Sequence, residues 1–255
     1  MDEMEERRGG MGLIWFGAIR LRPRSVLLLV LAVLAGVVGI REGIAARGEA
    51  AVEAWSWAVA NRVMVIDPGH GGIDPGAVSP SGTLEKDITL QVAMRLNRLL
   101  SEAGAVTILT REGDNDLGLD GGSLLERKRQ DLAQRVALAN QNQADFYISI
   151  HVNSFPSSRW WGAQTFYSRR SESGRRLAES IQAELIRVLG KNRRRAKGED
   201  YYVLEKTQVT AVNVEIGFMS NPEEERLLKD PVYQEKIAQA IYAGVVRHCV
   251  RELGR

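Results

Sequence analysis

Two of the three histidines in this 255-residue chain follow short apolar runs. His70 comes after Val63-Met64-Val65-Ile66-Asp67-Pro68-Gly69, and His151 comes directly after Phe146-Tyr147-Ile148-Ser149-Ile150. An apolar run closed by Asp-Pro-Gly reads as a buried strand with a sharp stop, and Gly71-Gly72 lets the chain turn without a Cβ penalty. A third strand, Val212-Asn213-Val214-Glu215, ends in a carboxylate and then a tight Ile-Gly turn. An acid in so apolar a strand needs a reason. Glu85 falls in the first turn of the helix expected after Thr83, where the helix dipole favours a negative charge. Strand ends and helix starts share one side of a parallel α/β sheet, so these four side chains can converge. Two neutral imidazoles and one carboxylate form a catalytic zinc set with one position left for water. Such a metal lowers the water pKa toward about 7 and polarises a carbonyl. A second carboxylate outside the ligand set can then take the proton and deliver it to a leaving amine. Glu85 and Glu215 fit those two roles.

The elements that must position these groups follow from local signals. After the first strand, Thr83 serves as N-cap for a helix with Ile88, Val92, Leu96 and Leu99 on one face. Ala105–Leu109 is the next strand, and residues 112–122 form a polar, glycine-rich loop. Ser123-x-x-Glu126 is a capping box opening a helix with Leu125, Leu132, Val136 and Ala139 along one stripe. Beyond the His151 strand lie a strand at Gln164–Tyr167 and a helix at Ser173–Leu189. Asn221-Pro222 and Asp230-Pro231 each put a good N-cap before a proline at the first helical position. The last helix runs to about Glu252 on Tyr233, Ile237, Ile241 and Val245. Strands alternating with helices predict a single α/β domain with a mostly parallel sheet flanked by helices.

Residues 25–40 carry no charge, with Arg20, Arg22 and Arg24 before them and Arg41 after. A stretch this short suits a signal-peptide core, but no clean small-residue cleavage site follows, so an uncleaved anchor is favoured over a cleaved signal. The basic flank keeps residues 1–24 in the cytoplasm and sends the bulk of the chain outside. The acidic opening Met1–Glu6 is unusual for an export segment, and Met11 would make a more ordinary start. Residues 41–61 read as a linker or loose juxtamembrane helix, and the catalytic domain is expected over 62–255. A net charge of +2 does not call for nucleic acid as a partner. The single cysteine, Cys249, rules out a cysteine-rich metal site and reads as packing on the last helix.

Other residues have competing readings. His248 reads as structural, on the core face of the last helix. Asp67 either receives a histidine N–H or caps its own turn, and Asn153 is equally open. The run Lys191–Lys197 is a solvated loop or a contact for an anionic substrate or membrane surface. Trp160-Trp161, beside an exposed-looking loop, read as a platform at the cleft rim rather than ordinary packing.

Five segments together resemble the zinc-dependent N-acetylmuramoyl-L-alanine amidases of bacterial cell-wall remodelling: Ile66–Gly72, Leu84–Asp87, Thr110-Arg111, Ser149–Asn153 and Glu215–Asn221. The resemblance implies zinc ligands at His70, Glu85 and His151, a catalytic glutamate at Glu215 and a twisted, mostly parallel sheet. It also implies peptidoglycan strands with stem peptides as substrate. A narrower resemblance, to the germination-specific members acting on spore cortex, rests on Asp114–Leu117, Glu126–Lys128 with Arg135-Val136, Trp161–Tyr167 and Arg195–Lys197. That subgroup strips peptide from muramic acid so that a partner deacetylase can form muramic-δ-lactam. Some members need a lipoprotein partner. The implied location is outside the cytoplasm, in the space between the forespore membranes. The rival readings are a zinc peptidase cutting within the stem peptide and a catalytically silent wall-binding protein.

Overall fold

The apolar runs form the middle of a six-stranded sheet in the computed structural model, which describes residues 23–254 apart from 119, 120 and 122. The strands are β1 (Val63–Pro68), β2 (Val106–Leu109), β3 (Phe146–Asn153), β4 (Gln164–Tyr167), β5 (Lys197–Gly198) and β6 (Thr210–Phe218), in the order β2-β1-β3-β6-β4-β5. All pairs are parallel except β4 with β6. The chain leaves β1 for β2 on one side and returns to β3 on the other. The order therefore reverses between β1 and β3, and a crevice opens outside their carboxyl ends. His70 follows β1 and His151 lies near the end of β3.

Alternation along each strand divides the core in two. Met64, Ile66, Ile148, Ile150, Val212 and Val214 face one way. They pack on α2 (Glu85–Glu102), α4 (Glu172–Leu189) and α7 (Pro231–Leu253). Val65, Tyr147 and Ala211 face the other way, onto α3 (Leu124–Gln141) and α5 (Tyr202–Lys206). Each fully buried aliphatic side chain contributes roughly 1.5–3 kcal/mol. Asp67 has the parity of Val65, so its carboxylate enters the α3 layer.

The helix signals hold where they are local. Ser123 and Glu126 form the capping box, and Asn221 and Asp230 cap α6 (Pro222–Leu228) and α7. Three expectations are corrected. Thr83 does not cap α2; the N-cap is Leu84, and the Thr83 hydroxyl instead donates to Glu225 at 2.8 Å. Leu125 and Leu132 are exposed, and α3 buries Arg135, Val136 and Ala139 instead. Glu215 does not end its strand and no turn follows it. β6 is paired on both sides and runs on through Ile216 and Gly217 to Phe218, whose N–H donates to Glu224 at 2.9 Å.

Pro23–Ala54 is a helix, α1. Among the described residues no helix is long and apolar enough to cross a membrane. The uncharged stretch 25–40 rises about 24 Å as a helix, against a hydrocarbon core of roughly 30 Å. A compact unit begins at Ala50, and Val52, Ala58 and Val59, inside the stretch expected to be a linker, are buried in its core. The expectation about Met11 lies outside the described residues.

Candidate metal centre

His70, Glu85 and His151 come together at the crevice, and their ligand atoms all lie within 4.8 Å of one another. Glu85 bridges the two imidazoles: Oε2 is 3.2 Å from His70 Nε2, and Oε1 is 3.1 Å from His151 Nδ1. The rings meet edge to face with centroids 4.9 Å apart. The same carboxylate accepts the backbone N–H of Ala77 at 2.7 Å and of Val152 at 2.8 Å. Burial pushes the Glu85 carboxyl up, but the two imidazoles outweigh it and hold it well below the usual range. Burial likewise pushes His70 down, yet Asp74 and Glu85 raise it to about 9. A buried anion between two imidazoles is a cation-seeking donor set, and its N, N, O composition fits zinc.

Two glycines make the approach feasible. A Cβ on Gly69 would lie 2.3 Å from Cε1 of His151. At Gly76, where φ is +68°, it would lie 2.6 Å from both Glu85 Oε2 and His70 Cδ2. His70 itself has φ +64°, a backbone that costs a non-glycine residue about 1–3 kcal/mol and persists only when its surroundings impose it. Two buried arginines impose it here. Arg135 donates to the carbonyls of Pro68 at 2.8 Å and His70 at 2.7 Å. Arg111 donates to those of Pro68 and Gly69, both at 3.0 Å.

Asp67 has neither of the roles open to it from sequence. It is buried and accepts Arg135 at 2.6 Å, Tyr147 at 2.6 Å, and Thr110 and Ser149 at 2.7 Å. Burial pushes its carboxyl up, and Arg135 with the three hydroxyls pulls it far below the usual range. The acceptor for His70 is Asp74, 2.8 Å from Nδ1, which leaves Nε2 facing Glu85. Lys128 on α3 pairs with the same Asp74 at 2.8 Å. Asp74, Arg135 and the two glycines were not singled out in sequence as site residues. The available signal was Arg135 on the apolar stripe of α3, next to Val136.

Glu215 stands opposite His151 in the parallel β3–β6 pair and opposite Gln164 in the antiparallel β4–β6 pair. Its Oε1 accepts Asn213 Nδ2 at 3.0 Å, and its Oε2 is buried with no hydrogen-bond partner among the described residues. Burial pushes this carboxyl up against the pull of His151, and negative Glu85 adds to the rise. Asn153 acts through its backbone, accepting the N–H of Met219 at 2.7 Å where β3 and β6 end. His248 is buried edge-on against Phe146, centroids 5.5 Å apart, as a packing residue. Trp160 is 37% exposed and packs on Phe155, while Lys191 lies 5.2 Å from the Trp161 ring centre. The basic run is not a uniformly solvated loop: Asn192 is buried and Arg194 is half-buried.

The fold and site thus define an α/β protein with a His-Glu-His group that could hold a metal ion at the sheet's switch point. The sequence profile of the Amidase_3 family, N-acetylmuramoyl-L-alanine amidase, matches residues 64–247, and the chain is an enzyme belonging to that family. It is 44% identical over 196 residues to the germination-specific N-acetylmuramoyl-L-alanine amidase of Bacillus subtilis, covering 76% of this chain and 82% of that one. The CwlD amidase from Clostridioides difficile, solved in complex with the GerS lipoprotein, superposes with a TM-score of 0.73 at 39% identity, over 75% of this chain and all of that one. The amidase AmiC2 of Nostoc punctiforme gives 0.64 at 30% identity, over 76% and 98%.

Proposed function

We propose that this enzyme hydrolyses the amide between the lactyl group of muramic acid and L-alanine in peptidoglycan, with zinc held by His70, Glu85 and His151 and with Glu215 as proton carrier. The observation that carries the reading is the buried Glu215 Oε2, which lacks a hydrogen-bond partner among the described residues and stands in register with His151 of the donor trio. Zinc, when bound there, supplies carbonyl polarisation and a lowered water pKa. The chain's own residues do the rest. Asp74 accepts a hydrogen bond from Nδ1–H of His70 and so leaves Nε2 free to ligate. The N–H groups of Ala77 and Val152 favour the ionised form of Glu85. Glu215, with its raised proton affinity, takes a proton from the attacking water at Oε2. As the new C–O bond forms and the C–N bond breaks, it passes that proton to the departing nitrogen. The products are a lactyl carboxylate and a free peptide amine.

The germination-specific relative supports a role in germination, and within that role the proposed step is removal of stem peptide in spore cortex ahead of a deacetylase that forms muramic-δ-lactam. The lipoprotein complex of CwlD supports an activating lipoprotein for this chain also. Residues 25–40 carry the domain out of the cytoplasm, as an apolar signal or anchor segment behind a basic flank.

Glu215→Gln tests the mechanism. The variant should keep its zinc, measured by metal analysis, and lose at least about 10²–10⁴-fold in rate on purified peptidoglycan. Mass analysis of the wild-type digest should show muramic acid freed of peptide. A fully active Glu215→Gln enzyme, or cuts confined to the stem peptide, would refute the reading.

A further inference from the structure

One side chain beyond the proton carrier, past Gln164, stands a guanidinium with one edge free. Gln164 lies directly opposite Glu215 in the antiparallel β4–β6 pair, so both side chains emerge on one face. Gln164 Oε1 accepts Arg194 Nη1 at 3.0 Å, and Gln164 Nε2 donates to the Arg195 carbonyl at 2.9 Å. Arg194 Nε donates to the Trp161 carbonyl at 2.8 Å. Its guanidinium carbon is 4.5 Å from the Phe218 ring centre and 5.6 Å from that of Trp160. Buried Asn192 fixes the backbone leading into it, donating to the Ala163 carbonyl at 2.8 Å and accepting the Arg194 N–H at 3.1 Å. Two guanidinium nitrogens are thus engaged, while Nη2 has no partner and Arg194 forms no ion pair among the described residues. Burial pushes this group's pKa down, and the charge of Glu224 offsets part of the fall.

An arginine ordered by stacking and two hydrogen bonds has already lost the side-chain freedom that binding would otherwise cost. Its open edge matches a carboxylate in geometry and charge. Exposed Arg193 and Arg195 add positive potential around it. The substrate class carries the complementary group. In a peptidoglycan stem the second residue bears a free carboxylate, about two residues or roughly 7 Å from the scissile amide. Gln164, which pairs with Glu215 across the strands and holds Arg194 at 3.0 Å, links the two positions.

We propose that Arg194 is the specificity residue that recognises the free carboxylate on the second residue of the stem peptide. The proposal rests on the amidase reading above, and the test separates the two. Binding of two disaccharide-tripeptides, one with the second-residue carboxylate free and one with it converted to a carboxamide, is measured by calorimetry on the zinc-loaded full chain carrying Glu215→Gln. Turnover of both is measured on the wild type. The free acid should bind at least about tenfold more tightly, as expected for hydrogen bonds to a charged group. Adding Arg194→Gln should bring the two affinities together with zinc content unchanged, and in the otherwise wild-type enzyme the loss should appear in KM more than in kcat. Arg194→Lys, which keeps the charge and loses the fork, should show an intermediate preference. Equal affinity for the two ligands with Arg194 intact would overturn the proposal without recourse to any Arg194 variant. So would a preference that survives Arg194→Gln. Selective binding without turnover by the wild type would overturn the amidase reading and uphold this one.

Discussion

Gly69→Ala probes how closely β1 and β3 must approach for the donor set to exist. The new Cβ would lie 2.3 Å from Cε1, 2.5 Å from Nε2 and 2.6 Å from Nδ1 of His151. Carbon atoms rest about 3.5–4.0 Å apart, so the imidazole must retreat by more than about 1 Å. Ligand positions tolerate only about 0.2 Å. The fold should absorb the change. The His151 side chain is 24% exposed and can swing toward solvent, and the Gly69 N–H keeps its bond to the Ile150 carbonyl at 2.9 Å. Disturbing an outer partner of a ligand already costs about 10–100-fold in metal affinity, and displacing the ligand itself should cost at least about 100-fold, or roughly 2.7 kcal/mol. The assay is zinc competition against a chromogenic chelator near neutral pH, alongside thermal melting of both proteins in excess chelator. Melting should differ by only a few degrees while zinc affinity collapses. A Gly69→Ala protein that binds zinc within about threefold of wild type would refute the reasoning, because His151 could not then be a ligand in the position seen here.

Two further outcomes follow from buried charges. Arg135→Met leaves buried Asp67 without its cation, and breaking such a pair from one side should cost about 3–5 kcal/mol in urea denaturation; a loss below about 1 kcal/mol would show that the three hydroxyls suffice. Glu224 is buried and accepts the N–H groups of Gly162 and Phe218, and burial lifts its carboxyl from 4.5 to about 7 despite them. The folded state therefore holds this proton more tightly than the unfolded state. Its contribution to stability is present below pH about 4.5 and fades as pH rises to about 7, by up to about 3 kcal/mol. Glu224→Gln should remove that loss, so the stability difference between wild type and variant should change across this window. Parallel profiles would refute the assignment.

Signals that depend on a few consecutive residues were legible before any coordinates. The Ser123–Glu126 capping box and the Asn-Pro and Asp-Pro helix starts are relations over three residues or fewer, so the sequence contains them whole. Apolar runs stopped by glycine and a histidine carry both strand and candidate ligand on the same short segment, so the alternation of strand and helix and the candidacy of His70, Glu85, His151 and Glu215 could be read together. What surrounds those four could not. Asp67 and Asp74 both lie within four residues of His70, and only the parity of β1 and the path of the following loop decide that Asp67 turns into the α3 layer while Asp74 meets the imidazole. The arginine that neutralises Asp67 is 68 residues away, and the partner of Arg194 is 30 residues away. The extension of β6 past Glu215 depends on strands pairing with both its edges, and the need for glycine at 69 depends on a ring carried by a neighbouring strand. The sequence by itself determined which groups could do the chemistry, because that is a property of residue type and short-range pattern. Only the tertiary structure decided which groups hold them in place, because sheet register and crossover geometry bring together residues that have no relation along the chain.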